Sequence, residues 1–290
     1  MTTVRIDPCI ETSCGDQRLQ HSEEIAAGNR FAFGRNWRRF LSVVDDDRIA
    51  IAQKALQGML ETNRLDGLRF LDVGCGSGVF SLAATRLGAS VHSFDYDPQS
   101  VACATMLKKR FAADREWVIE EGSVLDAKYL HGLGQFDVVY AWGVLHHTGS
   151  MWSALENVAP LVKARGALFI AIYNDQGRIS RQWRAIKQLY NKSPRIFRPF
   201  VLLPIMLYYE GREALGRLVR GRNPLEGWLH IIDPRGMHKW YDWVDWIGGY
   251  PFEVAKPEDI FDFYRKRGFT LTRLHTERGA AGCNEYVFRK

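Results

Sequence analysis

From residue 35 to residue 60 the apolar positions recur at helical spacing: Trp37, Phe40, Leu41 and Val44, then Ile49, Ala52, Leu56 and Leu60. Two helices are predicted, with Asp45 to Asp47 placed to cap the second. After Arg69 the period changes. Short runs rich in β-branched and aromatic residues (FLDV, VHSFD, WVIEE, FDVVYAW, ALFIAIY) alternate with helical stretches such as PQSVACATMLKKRF and MWSALENVAPLVK. A last helix, PEDIFDFYRKRG, precedes two closing strands, FTLTRLHTER and NEYVFRK. Strand and helix in alternation predict an α/β fold, a doubly wound and mostly parallel seven-stranded sheet covered on both faces.

The same pattern divides the chain. Residues 1–20 lack periodicity and read as a flexible tail. Residues 21–67 form an N-terminal helical cap, residues 68–173 and 257–290 the α/β core, and residues 174–256 an insertion over the substrate. Within the insertion Ile179, Trp183, Ile186 and Tyr190 share a helical face, with Arg181, Arg184 and Lys187 beside it. Next comes IFRPFVLLPIMLYY, residues 196–209, apolar but too short to span a bilayer and interrupted by Pro199 and Pro204. The third piece, MHKWYDWVDWIGGYPFEV, has an aromatic density that suits a cap over a pocket. Residues 177–209 can close over a site or rest on an anionic membrane as a peripheral contact. Burial within the fold is the commoner outcome, so a lid is expected.

Composition narrows the class. The chain has 290 residues, 46% hydrophobic and 25% charged, the balance of a globular protein. Its formal net charge of +6 is local: between Asn174 and Arg222 basic residues outnumber acids by eleven to three. Five scattered cysteines match neither a disulfide framework nor a zinc spacing, and the N-terminal stretch lacks an apolar signal core. A reduced, cytoplasmic protein is expected. Its oligomeric state is not legible.

The chemistry concentrates at LDVGCGSG, residues 71–78. Glycines 74, 76 and 78 permit a tight turn and close approach of a ligand at the end of the first strand. The dinucleotide fingerprint would put a glycine where Val79 stands, and Asp72 opposes an anion. An acid at that position suits an ammonium group. Asp95 ends the second strand, where a carboxylate can take both hydroxyls of a ribose, and the ring of Tyr96 can lie against a purine. S-adenosylmethionine carries an amino acid at one end and adenosine at the other, and meets both demands.

The ordered motifs LDVGCGSG, FDYD, EEGSVLD and FDVVYAWGVLHH resemble those of class I S-adenosylmethionine-dependent methyltransferases, nearest the ubiquinone-biosynthesis O-methyltransferase type. The resemblance covers residues 68–173 closely and leaves the insertion outside. It implies a last strand inserted antiparallel. It also implies that Gly74, Cys75, Gly76 and Gly78 bind the methionine part, assisted by Asp72, that Asp95 holds the ribose, and that Ser123 and Val124 meet the adenine. Many relatives have an acid where Ser123 stands, so the Val124 backbone is the firmer contact. Trp142 would lie under the cofactor. Trp37 and Phe33 either close over it or simply pack an N-terminal helix.

Methyl transfer from a sulfonium needs alignment and, for a hydroxyl acceptor, a base. His146 and His147 are the first candidates, with Asn174 beside them. His238, Tyr241 and Asp242 are the second set. No carboxylate accompanies the histidine pair at a metal-binding spacing, so no metal is expected. The function expected is methyl transfer to an oxygen or nitrogen of a small-molecule or glycan acceptor. The alternatives are a tRNA-modifying methyl- or carboxymethyltransferase, consistent with the basic segment, and a non-catalytic cofactor-binding partner.

Overall fold

The computed structural model describes residues 8–41, 44–224 and 239–290. Seven strands form one sheet: β1 (Arg69–Val73), β2 (Ser90–Asp95), β3 (Trp117–Glu121), β4 (Phe136–Trp142), β5 (Val162–Tyr173), β6 (Thr270–His275) and β7 (Cys283–Arg289). Their order is β3-β2-β1-β4-β5-β7-β6. Strands β1 to β5 pair in parallel, while β7 runs antiparallel to both of its neighbours. This is the predicted doubly wound sheet, including the antiparallel insertion of the last strand. The order reverses between β1 and β4, and the carboxyl ends there open a crevice.

Adjacent side chains along each central strand enter opposite layers. Phe70, Val138, Ala167 and Val287 pack with Ile49 and Leu56 of α3 (Asp46–Leu60), Leu82 of α4 (Val79–Arg86) and Leu107 of α5 (Pro98–Phe111). Their chain neighbours Leu71, Val139, Leu168 and Phe288 pack with Leu130 of α6 (Ala127–Leu133), Leu155 of α7 (Met151–Val158) and Ile260 and Tyr264 of α11 (Pro257–Arg265). The near-continuous apolar runs of the strands follow from burial on both faces. Asp45 caps α3 by accepting from the Arg48 amide at 3.0 Å, as its position predicted.

The N-terminus departs from expectation. Residues Pro8–Ala26, read as tail up to residue 20, form a helix, α1, followed by α2 (Phe33–Phe40). The helix has no apolar stripe for periodicity to find, and polar contacts hold it. Arg18 Nη2 pairs with Glu121 Oε1 at 2.6 Å, and His21 is buried beside Tyr96, ring centroids 5.2 Å apart.

The insertion supplies α8 (Arg178–Lys192), α9 (Arg198–Val219) and α10 (Lys239–Gly248). Trp183, Tyr190, Leu202, Ile247 and Phe252 form a third apolar cluster together with Phe31, which precedes α2. Lys187 does not share a surface with Arg181 as its spacing suggested. It is buried, and its ammonium lies 4.9 Å from the Phe252 ring centroid and 5.7 Å from that of Tyr173.

Candidate active site

The turn after β1 is tied to β2. The Gly74 and Cys75 amides donate to the Phe94 carbonyl at 2.8 and 3.1 Å. Gly76 adopts φ 54°, and a Cβ there would stand 3.0 Å from Trp37 Nε1. Any side chain would therefore be strained and would fill the space between the turn and α2.

Asp95 closes this arrangement. Its Oδ2 accepts from the Gly76 amide and its Oδ1 from the Asp97 amide, both at 2.8 Å. Each oxygen keeps a second lone pair for a further donor. Burial pushes its carboxyl up to about 7, against the two amide bonds that favour the charge. Asp72 lies behind the turn, accepts from the Ser81 hydroxyl, and is likewise raised by burial to about 7. The Ser81 and Ser93 hydroxyls are 2.7 Å apart, and Trp117 Nε1 donates to Ser93 Oγ at 2.7 Å. A buried chain of polar groups thus fixes the Asp72 carboxylate.

These groups face a cavity of about 1190 Å³. Of the predicted residues, Asp72, Gly74, Cys75, Gly76, Asp95, Tyr96, Ser123, Val124, Trp142, Trp37 and His147 line it, as does Phe33. Trp142 is held by a bond from its Nε1 to Glu285 Oε1 at 2.8 Å. The Val124 carbonyl is occupied by Asn157 Nδ2 at 2.9 Å, and Ser123 Oγ accepts from the Leu125 amide at 3.2 Å.

Other predicted residues lie elsewhere. Gly78 is absent from the wall: it begins α4, where a Cβ would meet Ala104 at 2.8 Å, so its role is close packing. His146 is fully buried between Tyr173 and His147, ring centroids at 4.2 and 4.5 Å, and does not reach the cavity. Its ring lies near the Ala171 backbone without hydrogen-bond geometry, and burial drives its pKa well below the usual value. It is a packing residue. Asn174 is also outside the wall and bonds the Ala280 carbonyl at 3.2 Å. His238 falls outside the described residues. Tyr241 and Asp242 lie on α10, and their side chains are outside the described set.

His147 lines the same cavity. Its Nδ1 is 2.6 Å from the Pro251 carbonyl, which requires the proton on Nδ1 and leaves Nε2 with a free lone pair. Burial holds its pKa down to about 3, so the ring is neutral.

Several wall residues were not singled out by the sequence. Tyr140 and Phe80 stack at 5.2 Å, and Phe169 meets Tyr140 edge-on at 5.1 Å. The Tyr140 hydroxyl is buried without a hydrogen-bond partner. From α10 come Trp243, Asp245 and Trp246, and from β7 Glu285. The roof over the cavity is built from two distant segments joined to each other. The Phe31 amide donates to the Tyr250 carbonyl at 2.8 Å, and Phe31 packs against Gly248 so closely that a Cβ there would lie 2.3 Å from its ring.

Comparison with known proteins follows this geometry. Residues 71–168 match a family model described as a methyltransferase domain. Within the core it is this segment, β1 through most of β5, that is similar to a methyltransferase domain. The ubiquinone biosynthesis O-methyltransferase of Rhodopseudomonas palustris (strain TIE-1) is 31% identical over 141 residues, 48% of this chain and 50% of that protein. The enzyme of the same name from Xanthomonas campestris pv. campestris (strain B100) is 33% identical over 110 residues, 38% and 45% of the two chains. The chain therefore spans about half the length of the curated relatives it matches. Among solved structures, magnesium protoporphyrin IX methyltransferase from Synechocystis PCC 6803 with bound SAM superposes with TM-score 0.52 at 14% identity, covering 100% of each chain. That likeness is one of fold. The methyltransferase domain matched by sequence contains the Asp72, glycine-turn, Asp95 and His147 positions, whereas the roof and β7 lie outside it.

Proposed function

We propose that this chain transfers a methyl group from S-adenosyl-L-methionine to an oxygen of a compact small-molecule or glycan acceptor. The observation that carries this reading is the buried Asp95 carboxylate, oriented by two amides on the wall of the cavity beside the glycine turn. The residues present suit the cofactor. Asp95 would take the ribose hydroxyls, Asp72 and the turn the amino-acid end, and Tyr96 with Val124 the adenine. The Tyr140 ring lines the same cavity. Bound there, the cofactor supplies a methyl group already activated on a sulfonium.

The chain's own task is alignment and exclusion of water. Trp37 over the turn and Trp243 and Trp246 of the roof wall off the reacting end. His147 Nε2 would hold the acceptor hydroxyl through its free lone pair, with Nδ1–H fixed by Pro251. As the C–O bond forms, the hydroxyl proton becomes strongly acidic, so even a base of low pKa can take it at Nε2. An acceptor that arrives as an anion would need only the alignment. The free thiols of Cys75 and Cys103 suit a reducing cytoplasm as the place of work.

Two measurements test the reading together. Titration with S-adenosylhomocysteine should give saturable binding, and radiolabelled S-adenosylmethionine should label small-molecule or glycan fractions of nuclease-treated extract. Label that enters only RNA, and disappears after nuclease, would overturn the acceptor class. Binding without any transfer would point to a cofactor-binding partner instead.

A further inference from the structure

The segment 196–209 does not close over the cavity. None of its residues, and none from α8 or α9, reaches the wall. Instead Leu202, Met206 and Glu210 turn inward, and Tyr209 packs on Trp243 and Trp246 of α10, ring centroids 6.0 and 5.6 Å away. The lid expected for this run is therefore corrected. The inward face is narrow because Leu202, Met206 and Glu210 follow one another at single-turn spacing.

The outward face is apolar. Phe200, Leu203, Leu207, Leu215 and Leu218 recur at helical spacing with a break at Gly211, Ile196 precedes them just before the helix, and all six are between 40% and 74% exposed. Isolated exposed leucines are ordinary, but a stripe that resumes on the same helix after Gly211 is not. Exposed basic residues stand at both ends: Lys192 and Arg195 before the helix, Arg212, Arg220 and Arg222 in and beyond its last turns. Two acids on the described helix are engaged elsewhere. Glu210 is buried and accepts from Trp243 Nε1 at 2.8 Å, and Glu213 is paired with Arg217 at 2.7 Å.

We propose that the outward face of α9 docks on an anionic lipid bilayer, its apolar stripe in the headgroup layer and its arginines on the lipid phosphates. The helix is not long and apolar enough to cross. An apolar stripe flanked by cations is the pattern of a helix lying in the interface plane. A second copy of the chain fits less well, because either antiparallel or parallel pairing of two such helices would bring arginines against arginines. Docking would set the aromatic wall of the cavity one helix diameter, about 10 Å, from the headgroups.

The test is flotation of the full chain with phosphatidylcholine vesicles, with and without phosphatidylglycerol. The protein should float with the anionic vesicles only and be released as salt rises. Each charge reversal among R212E, R220E and R222E should cut partitioning at least about fivefold, and the triple variant roughly a hundredfold. F200E/L207E should abolish flotation while leaving the melting temperature and the affinity for S-adenosylhomocysteine unchanged. Failure to float, equal binding to neutral vesicles, or full binding by F200E/L207E would overturn the proposal. So would a dimer dispersed by L207E, which assigns the face to a second copy. A melting temperature several degrees lower in F200E/L207E would also overturn it, by assigning the face to intramolecular packing.

Discussion

Replacing Asp95 with asparagine should make the protein more stable and less able to bind its cofactor. Burial raises the Asp95 carboxyl from an ordinary 3.8 to about 7. A folded-state pKa above the unfolded value means that the folded protein holds the proton more tightly. The contribution to stability is then most favourable below pH 4, falls as pH rises from about 4 to about 7, and is flat above. The shift of 7 − 3.8 units corresponds to an order of 4 kcal/mol of charge-burial cost at pH 8. Asparagine removes that cost but must turn its NH2 toward either the Gly76 or the Asp97 amide, which loses about 1–3 kcal/mol. The net gain is about 1–3 kcal/mol at pH 8 and turns into a net loss of about 1–3 kcal/mol near pH 4, where the charge cost has gone and the mismatch with the amide remains. Cofactor affinity should move the other way. Loss of the charge from a pair of hydroxyl bonds costs about 2–4 kcal/mol, roughly 30- to 700-fold in Kd. Thermal melts of both proteins from pH 4 to pH 8, with calorimetric titration of S-adenosylhomocysteine at pH 8, read both effects. A variant less stable than wild type at pH 8, or one with unchanged affinity, would refute the reasoning.

His147→Ala should lower turnover by about 100-fold or more with cofactor affinity intact. The wild-type profile should carry no limb from His147 above pH 5, because its pKa is held at about 3. A profile limb near 6.5 that vanishes in the variant would contradict this. Lys187→Met should stabilise the protein at pH 6. Burial lowers that ammonium to about 7 from an ordinary 10.5, so its cost is full below 7 and fades as pH approaches 10.5. Melting curves at the two extremes check the sign, and a gain that does not shrink with pH would refute it. Gly76→Ala should weaken S-adenosylhomocysteine binding at least tenfold and cost about 1–2 kcal/mol, since φ 54° and the contact with Trp37 both resist a Cβ. Unchanged binding would mean that the turn can relax.

The core was legible because its strands are buried on both sides, which writes an apolar run between every pair of helices. Four motifs then placed one wall of the cavity. The roof was harder. Helix α1 is held by ion pairs such as Arg18 with Glu121, which periodicity does not record. Lys187 was misread because an amphipathic pattern assigns every lysine to water, whereas here Tyr173, Trp246 and Phe252 surround it. His146 and His147 are neighbours in sequence, and only the backbone at the end of β4 decides which ring faces the cavity. Trp243, Asp245, Trp246 and Glu285 of the cavity wall lie outside the segment that similarity recognises, so kinship says little about the acceptor that the proposed function requires.

The roof carries one more consequence. Its two halves, separated by more than two hundred residues, are stitched together by the Phe31–Tyr250 bond and the contact of Phe31 with Gly248. Neither half can swing away without breaking that seam or carrying the other with it. On the proposed function, exchange of spent cofactor past the roof would then be a concerted event rather than the flicker of one loop, and the seam would bear on release after each turnover rather than on the displacement at carbon.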